Sequence, residues 1–222
     1  MELLTAAQMR AIEHDAIAGG AVTGLELMER AGCGVVEAIF DTWPDLAKGV
    51  RRAVVLAGPG NNGGDGYVIA RLLANRGWSV EVDFYGDPQD LPPDARMNWD
   101  RWCGTGGSAF PVTPQPGEHD LRFADAPVDL WIDAAFGTGL ARPLPREILD
   151  AFDHIHSRRT GQIGRVVAVD ILSGLHADTG ARLSACPLVA DLTVTFHAMK
   201  RGHCMAAGPQ ASGKVVVKDI GL

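Results

Sequence analysis

The sequence predicts an α/β protein with a mostly parallel central sheet and helices on both of its faces. Two observations carry that expectation. Beyond residue 50, short apolar runs rich in Val and Ile alternate with stretches of helical period, the rhythm of repeated β-α-β units. Several of these runs are continuously apolar, as strands buried on both faces require. A chain of 222 residues suits one domain, 1–222, and can bury a core without disulfides or metals.

Two helices come first. Thr5-Ala-Ala-Gln8 and Thr23-Gly-Leu-Glu26 both read as capping boxes, a hydroxyl followed three residues later by Gln or Glu. Met9, Ile12, Ala16 and Ile17 then recur at helical spacing, and Leu27, Met28, Ala31, Val35 and Ile39 form the apolar side of the second helix. Gly19-Gly20 ends one and Trp43-Pro44 the other. Residues 51–58 (RRAVVLAG) predict the first buried strand, with a helix over 65–75. Strands follow at 78–86 and, weakly, at 108–113, separated by a helix over 93–102; residues 111–117 (PVTPQPG) read as loop. Further strands are expected at 128–134, 165–170, 191–196 and 214–220, with one more helix over 146–156. No internal repeat or linker interrupts the chain.

The net charge of −7 argues against nucleic acid as the main partner, because phosphate backbones need clustered Lys and Arg. Cys33, Cys103, Cys186 and Cys204 contain no C-x-x-C pair and read as reduced, mostly buried thiols of a cytoplasmic protein. The amphipathic, acidic N-terminus is unlike a secretory signal.

Parallel sheets bind ligands at the carboxyl ends of their strands, near the point where strand order reverses. Four loops share that position: 58–65, 133–143, 170–174 and 196–203. The first holds Gly58-x-Gly60-x-x-Gly63, the spacing of a dinucleotide turn, with Asp83 at the distance of a ribose-binding acid. Its Asn61-Asn62-Gly63-Gly64-Asp65 run departs from that pattern, because a carboxylate in the first helical turn competes for the amides and repels phosphate. Asp133 and Asp170 each end an apolar strand ahead of a glycine-bearing loop; a carboxylate there either caps a turn or serves a site. Two such carboxylates are able to divide roles, one binding a cation and one moving protons. Gly137-Thr138-Gly139 with Arg142 offers free amides and a guanidinium to a phosphate. Lys200 or Arg201 is expected to supply electrostatic support or to be solvated surface. Ser173 lacks the preceding glycine of a nucleophile elbow. The histidines lack metal spacing and read as surface or structural.

Taken together and in order, these segments resemble the NAD(P)H-hydrate epimerase family, the YjeF N-terminal domain family. The resemblance covers nearly the whole chain: TAAQMR at 5–10, LMERAG at 27–32, GPGNNGGDG at 58–66, DAAFGTG at 133–139, VDILSGL at 169–175, DLTVTF at 191–196, Lys200-x-Gly202 and DIG at 219–221. It implies a Rossmann-like three-layer αβα sandwich, usually dimeric, that interconverts the R and S epimers of hydrated NADH or NADPH so that a dehydratase repairs both. Asn61, Asn62, Gly63, Gly64 and Asp65, then Gly137, Thr138, Gly139, Leu140, Ala141, Arg142 and Pro143, and Asp170, match the family's substrate-binding segments. Asn62, Asp133 and Ser173 match its potassium (K+) ligands, one ion per subunit. The chain departs from the family at Leu172, where proline is usual. Because a dehydratase domain follows in many bacterial members, this chain is expected to be a stand-alone enzyme or one domain of a longer product. Asp170, by its place at a strand end, is the expected acid–base residue. The rival readings are a non-catalytic binding module of the same fold and an NAD-dependent oxidoreductase.

Overall fold

The computed structural model describes residues 3–112, 127–159, 164–186 and 188–222. Its centre is a seven-stranded sheet in the order β4-β3-β2-β5-β6-β7-β9, every neighbouring pair parallel. The strands are β2 (Arg52–Ala57), β3 (Ser79–Phe84), β4 (Ser108–Pro111), β5 (Leu130–Ala134), β6 (Arg165–Val169), β7 (Leu192–Phe196) and β9 (Lys214–Lys218). A separate two-residue ribbon pairs β1 (Leu3–Leu4) in parallel with β8 (Met199–Lys200). Sequence periodicity cannot detect elements this short.

Six helices accompany the strands among the described residues: α1 (Ala6–Ala18), α2 (Gly24–Thr42), α3 (Asn61–Ala74), α4 (Pro93–Gly104), α5 (Arg146–Arg159) and the single turn α6 (Gly208–Ala211). Both capping boxes form. Thr23 Oγ1 accepts from Glu26 N–H at 3.1 Å, and Glu26 Oε2 accepts from Thr23 N–H at 2.8 Å. Each such cap stabilises its helix by about 0.5–2 kcal/mol.

Side chains alternate across the strands and build two cores. Ala53, Val55 and Ala57 of β2 pack with Leu27, Val35 and Ile39 of α2 and Val68 and Ile69 of α3. Val54 and Leu56 face the other way, toward Ile148, Phe152 and Ile155 of α5. Burying each large apolar side chain contributes about 1.5–3 kcal/mol. Helices therefore cover both faces, and the architecture is the expected three-layer αβα sandwich.

Three expectations need correction. The helix after β2 begins at Asn61 rather than Asp65, because Gly60 takes the extended N-cap position and the Asn-Asn-Gly-Gly run forms the first turn. Ile17, expected on the apolar side of α1, is exposed. The thiols are free but not mostly buried: Cys33 and Cys186 are half-buried, Cys103 and Cys204 exposed. The loop expected at 111–117 lies outside the described residues from 113 onward, and Pro111 itself closes β4.

Candidate active site

Strand order reverses between β2 and β5, and the site gathers at the carboxyl edge of that junction. The glycines of the first loop let three backbones meet there. A methyl group on Gly58 would collide with the Ala135 carbonyl from the β5 loop, and one on Gly63 would collide with the Gly58 carbonyl. Beside Gly60 there is open space. Two glycines of the G-x-G-x-x-G spacing thus serve close packing, and the middle one leaves room above the helix N-terminus.

Asp133, at the end of β5, is 2% exposed. Its carboxylate accepts from Ser173 Oγ at 2.6 Å, Ser173 N–H at 2.7 Å and Ala135 N–H at 3.2 Å. Ser173 Oγ in turn accepts from Phe136 N–H at 2.8 Å. Burial pushes the Asp133 carboxyl up to about 6, with the bonds from Ser173 and Ala135 working the other way. The turn lacking the family's proline still seats Ser173 against Asp133, because Ile171 and Leu172 anchor it in the second core.

Asn62 stands across from this cluster. Its Oδ1 lies 3.1 Å from where a Gly137 side chain would begin, and its buried Nδ2 has no hydrogen-bond partner. A buried amide without a partner is an incomplete polar site. With the amide oxygen turned inward, Asn62, Asp133 and Ser173 present amide, carboxylate and hydroxyl oxygens, a donor set suited to a hard cation. A single formal charge among them favours a monovalent ion.

Asp170 follows β6 in the left-handed region, with φ 65°, a conformation that costs a non-glycine residue about 1–3 kcal/mol. Three backbone and side-chain bonds hold it there. Its N–H donates to Val194 O at 2.7 Å, its carbonyl lies 3.0 Å from His203 Nε2, and its Oδ1 accepts from Thr195 Oγ1 at 2.9 Å. Lys200 Nζ approaches the same Oδ1 to 2.6 Å. Burial works to raise this carboxyl, but Lys200 and Thr195 outweigh it and hold the group below the ordinary Asp range.

Asp65 lies in the second turn of α3, so it does not occupy the amides of the helix N-terminus as its sequence position implied. It is half-buried. Burial, then the neighbouring charges of Asp170 and Glu13, push its carboxyl well above the usual range. Glu13 of α1 is raised for related reasons, burial first and then Asp170.

The edge therefore brings together Asn62, Gly63, Asp65, Asp133, Gly137, Asp170 and Ser173. The 137–143 segment divides. Gly137, beside Asn62, and Thr138 are half-buried, Leu140 sits in the second core, and Asn61, Gly139, Ala141, Arg142 and Pro143 are exposed. Arg201 is solvated, whereas Lys200 is 1% exposed. Sequence reasoning missed Glu13, Thr195 and His203 as neighbours of Asp170. One signal existed: the two threonines of LTVTF break an otherwise apolar strand, and both are fully buried.

Comparison with known proteins places these features in a wider set. Residues 24–202 match the family described as YjeF-related protein N-terminus. The chain is 46% identical to the NAD(P)H-hydrate epimerase of Rhodobacter capsulatus over 100% of this chain and 99% of that one. It is 47% identical to the enzyme of the same name from Roseobacter litoralis, with the same coverage. Against the Bifunctional NAD(P)H-hydrate repair enzyme of Moorella thermoacetica it is 38% identical, spanning 41% of that protein. The crystal structure of yeast YNL200c superposes with a TM-score of 0.77 at 19% identity, covering 99% of this chain and 88% of that one.

Proposed function

Because the chain belongs to the YjeF N-terminal family, we propose that it is an NAD(P)H-hydrate epimerase, interconverting the R and S hydrates of NADH and NADPH as a step in nucleotide repair. The observation that carries the reading is the convergence of Asn62, Asp65, Asp133, Ser173 and Asp170 on one edge of the sheet, at the reversal of strand order where such folds bind nucleotides. The substrate meets the glycine-rich turn as a reactant, not as a hydride carrier.

The chemistry follows from the substrate. The reacting ring carbon bears a hydroxyl and is bonded to nitrogen, so its configuration is lost by expelling the hydroxyl or by opening and reclosing the ring. Either route needs one group to give a proton and another to take one; no electrons are exchanged. Asp170, kept ionised by Lys200 and Thr195, takes the proton. Asp65, whose burial and acidic neighbours favour its neutral form, gives one. Two carboxyls driven apart in this way are the usual arrangement for paired acid and base, and such help contributes about 10²–10⁴-fold. The 58–65 and 137–143 loops hold the nucleotide, with Arg142 near its phosphates. Asn62, Asp133 and Ser173 would hold potassium, which would supply positioning of these loops.

In this reading the chain acts in the cytoplasm as a homodimer, alongside a dehydratase that consumes one epimer. Among the described residues no helix is long and apolar enough to cross a membrane. Chiral chromatography of purified R or S hydrate after incubation with the chain, with and without potassium, tests the proposal. Conversion at the uncatalysed rate in both conditions would sink it.

A further inference from the structure

We propose that Lys200 is a positioning residue of this site: with the Thr195 hydroxyl and the His203 ring, it holds Asp170 as a carboxylate with one oxygen free for the substrate. The consequence for catalysis rests on the epimerase reading, but the arrangement itself does not.

A lysine that is 1% exposed is rare, since an unpaired buried ammonium is strongly disfavoured. All three of its protons are accounted for. They go to Asp170 Oδ1 at 2.6 Å, Thr195 Oγ1 at 2.8 Å and Phe196 O at 3.1 Å. No donor remains for a ligand, so Lys200 acts through Asp170. The Thr195 hydroxyl accepts from Lys200 and donates a hydrogen bond to the same Oδ1. Both interactions therefore fall on Oδ1, and Oδ2 accepts no hydrogen bond from the described residues. That oxygen is the one available to take a proton.

The backbone of Lys200 takes part as well. Its N–H donates to His203 Nδ1 at 3.1 Å, so the neutral ring carries its proton on Nε2 and donates it to the Asp170 carbonyl at 3.0 Å. Burial, despite the opposing pull of Asp170, keeps His203 below its ordinary range and hence neutral. The imidazole thus clamps the left-handed turn without adding charge. Lys200 is itself fixed by β8, which pairs with β1 at Leu4, while Asp178 accepts from Ala6 N–H at 2.7 Å and ties α1 to the same region.

Five polar or titratable groups bear on Asp170: Lys200 of β8, Thr195 of β7, His203 beyond β8, Asp65 of α3 and Glu13 of α1. Two are carboxyls that favour proton uptake by Asp170, as does burial. Lys200 is the opposing cation. Without it, Asp170 would hold a proton to higher pH and cease to serve as a base at the acidic end.

The test uses the full chain with Lys200→Met and, as a milder change, Thr195→Val. Epimerisation is measured against pH, net of the uncatalysed rate at each pH, and the Asp170 carboxyl is titrated by carbon NMR without substrate, its signal assigned through Asp170→Asn. For Lys200→Met the acid limb of the rate profile and the carboxyl titration should both move up by roughly 1–3 pH units, with activity partly recovered at higher pH. Thr195→Val should shift both in the same direction by less. A folded Lys200→Met protein whose carboxyl titration is unmoved, or whose activity falls equally at every pH, overturns the proposal. If Lys200→Met does not fold, Thr195→Val decides: an upward shift supports the proposal and an unmoved titration overturns it. Absence of wild-type epimerase activity would sink the functional reading, while the carboxyl titration would still decide the role of Lys200.

Discussion

Four aspartates on the same sheet make an instructive contrast. Asp129 and Asp191 immediately precede β5 and β7, whereas Asp133 ends β5 and Asp170 follows β6. At the amino edge, Asp129 accepts from Arg52 N–H at 2.9 Å and pairs with Arg51 at 3.0 Å, and Asp191 accepts from Val166 N–H at 2.8 Å. Arg165 and Asp45 pair at 3.2 Å nearby. Each carboxylate there satisfies an amide at the start of a neighbouring strand, the first of β2 and the second of β6, and the ion pairs remain open to water. At the carboxyl edge Asp133 is buried, Asp170 is crowded by the carboxyls of Asp65 and Glu13, and Lys200 is the cation paired with Asp170. The same residue type is ordinary strand-end chemistry at one edge and a set of perturbed protons at the other. The difference lies in burial and in the ratio of carboxyls to cations.

The largest expected effect tests the functional edge directly. Asp170→Asn should lower kcat by about 10²–10⁴-fold while substrate binding is retained, checked by chiral chromatography and by equilibrium binding. Next, Asp133→Ala should cost about 1–3 kcal/mol of stability, because it strands the amides of Ser173 and Ala135 in a buried place; urea denaturation measures this.

Asp65→Asn sharpens the contrast further. The folded state raises the Asp65 carboxyl, so its contribution is fully present below the unfolded value of 3.8 and is lost as pH rises through the folded value. At neutral pH the amide variant should therefore be equal to or more stable than the parent, by up to about 1 kcal/mol, yet slower in epimerisation. Thermal melts at pH 5 and pH 8, with a larger gain at pH 8, check the sign. The smallest effect belongs to the amino edge. Arg165→Ala should change stability by about 0–1 kcal/mol and leave activity unchanged, since its partner Asp45 is largely exposed. A large activity loss there would dissolve the distinction between the two edges.

The architecture was legible because its signals are local. Capping boxes at Thr5 and Thr23 and the apolar runs of β2, β5, β6 and β7 lie where expected, within one or two residues. The helix after β2 was misplaced by a turn because Gly63 and Gly64 argue against a helix by propensity. Their reason for being glycine is close contact: Gly63 with the Gly58 backbone of the same loop, and Gly64 with Met28 and Ala95, which are distant in the chain. Asp133, Ser173, Asn62 and Asp170 were found as strand-end and loop residues. The 196–203 loop was expected at this edge, yet Lys200 was left between support and solvated surface and His203 was read as surface or structural, because their burial depends on packing that no local pattern encodes; Glu13 was not connected to the site because α1 lies outside the β-α rhythm.

By itself the sequence determined the α/β class, the order of the principal elements and which loops reach the carboxyl edge, since periodicity, caps and turn residues act over a few positions. The tertiary structure alone decided that α1 brings Glu13 toward Asp65, that β7 and β8 enclose Asp170 with Thr195 and Lys200, and which carboxyl keeps its proton. Those outcomes depend on burial and on charges from distant parts of the chain, and only folding brings them within reach of one another.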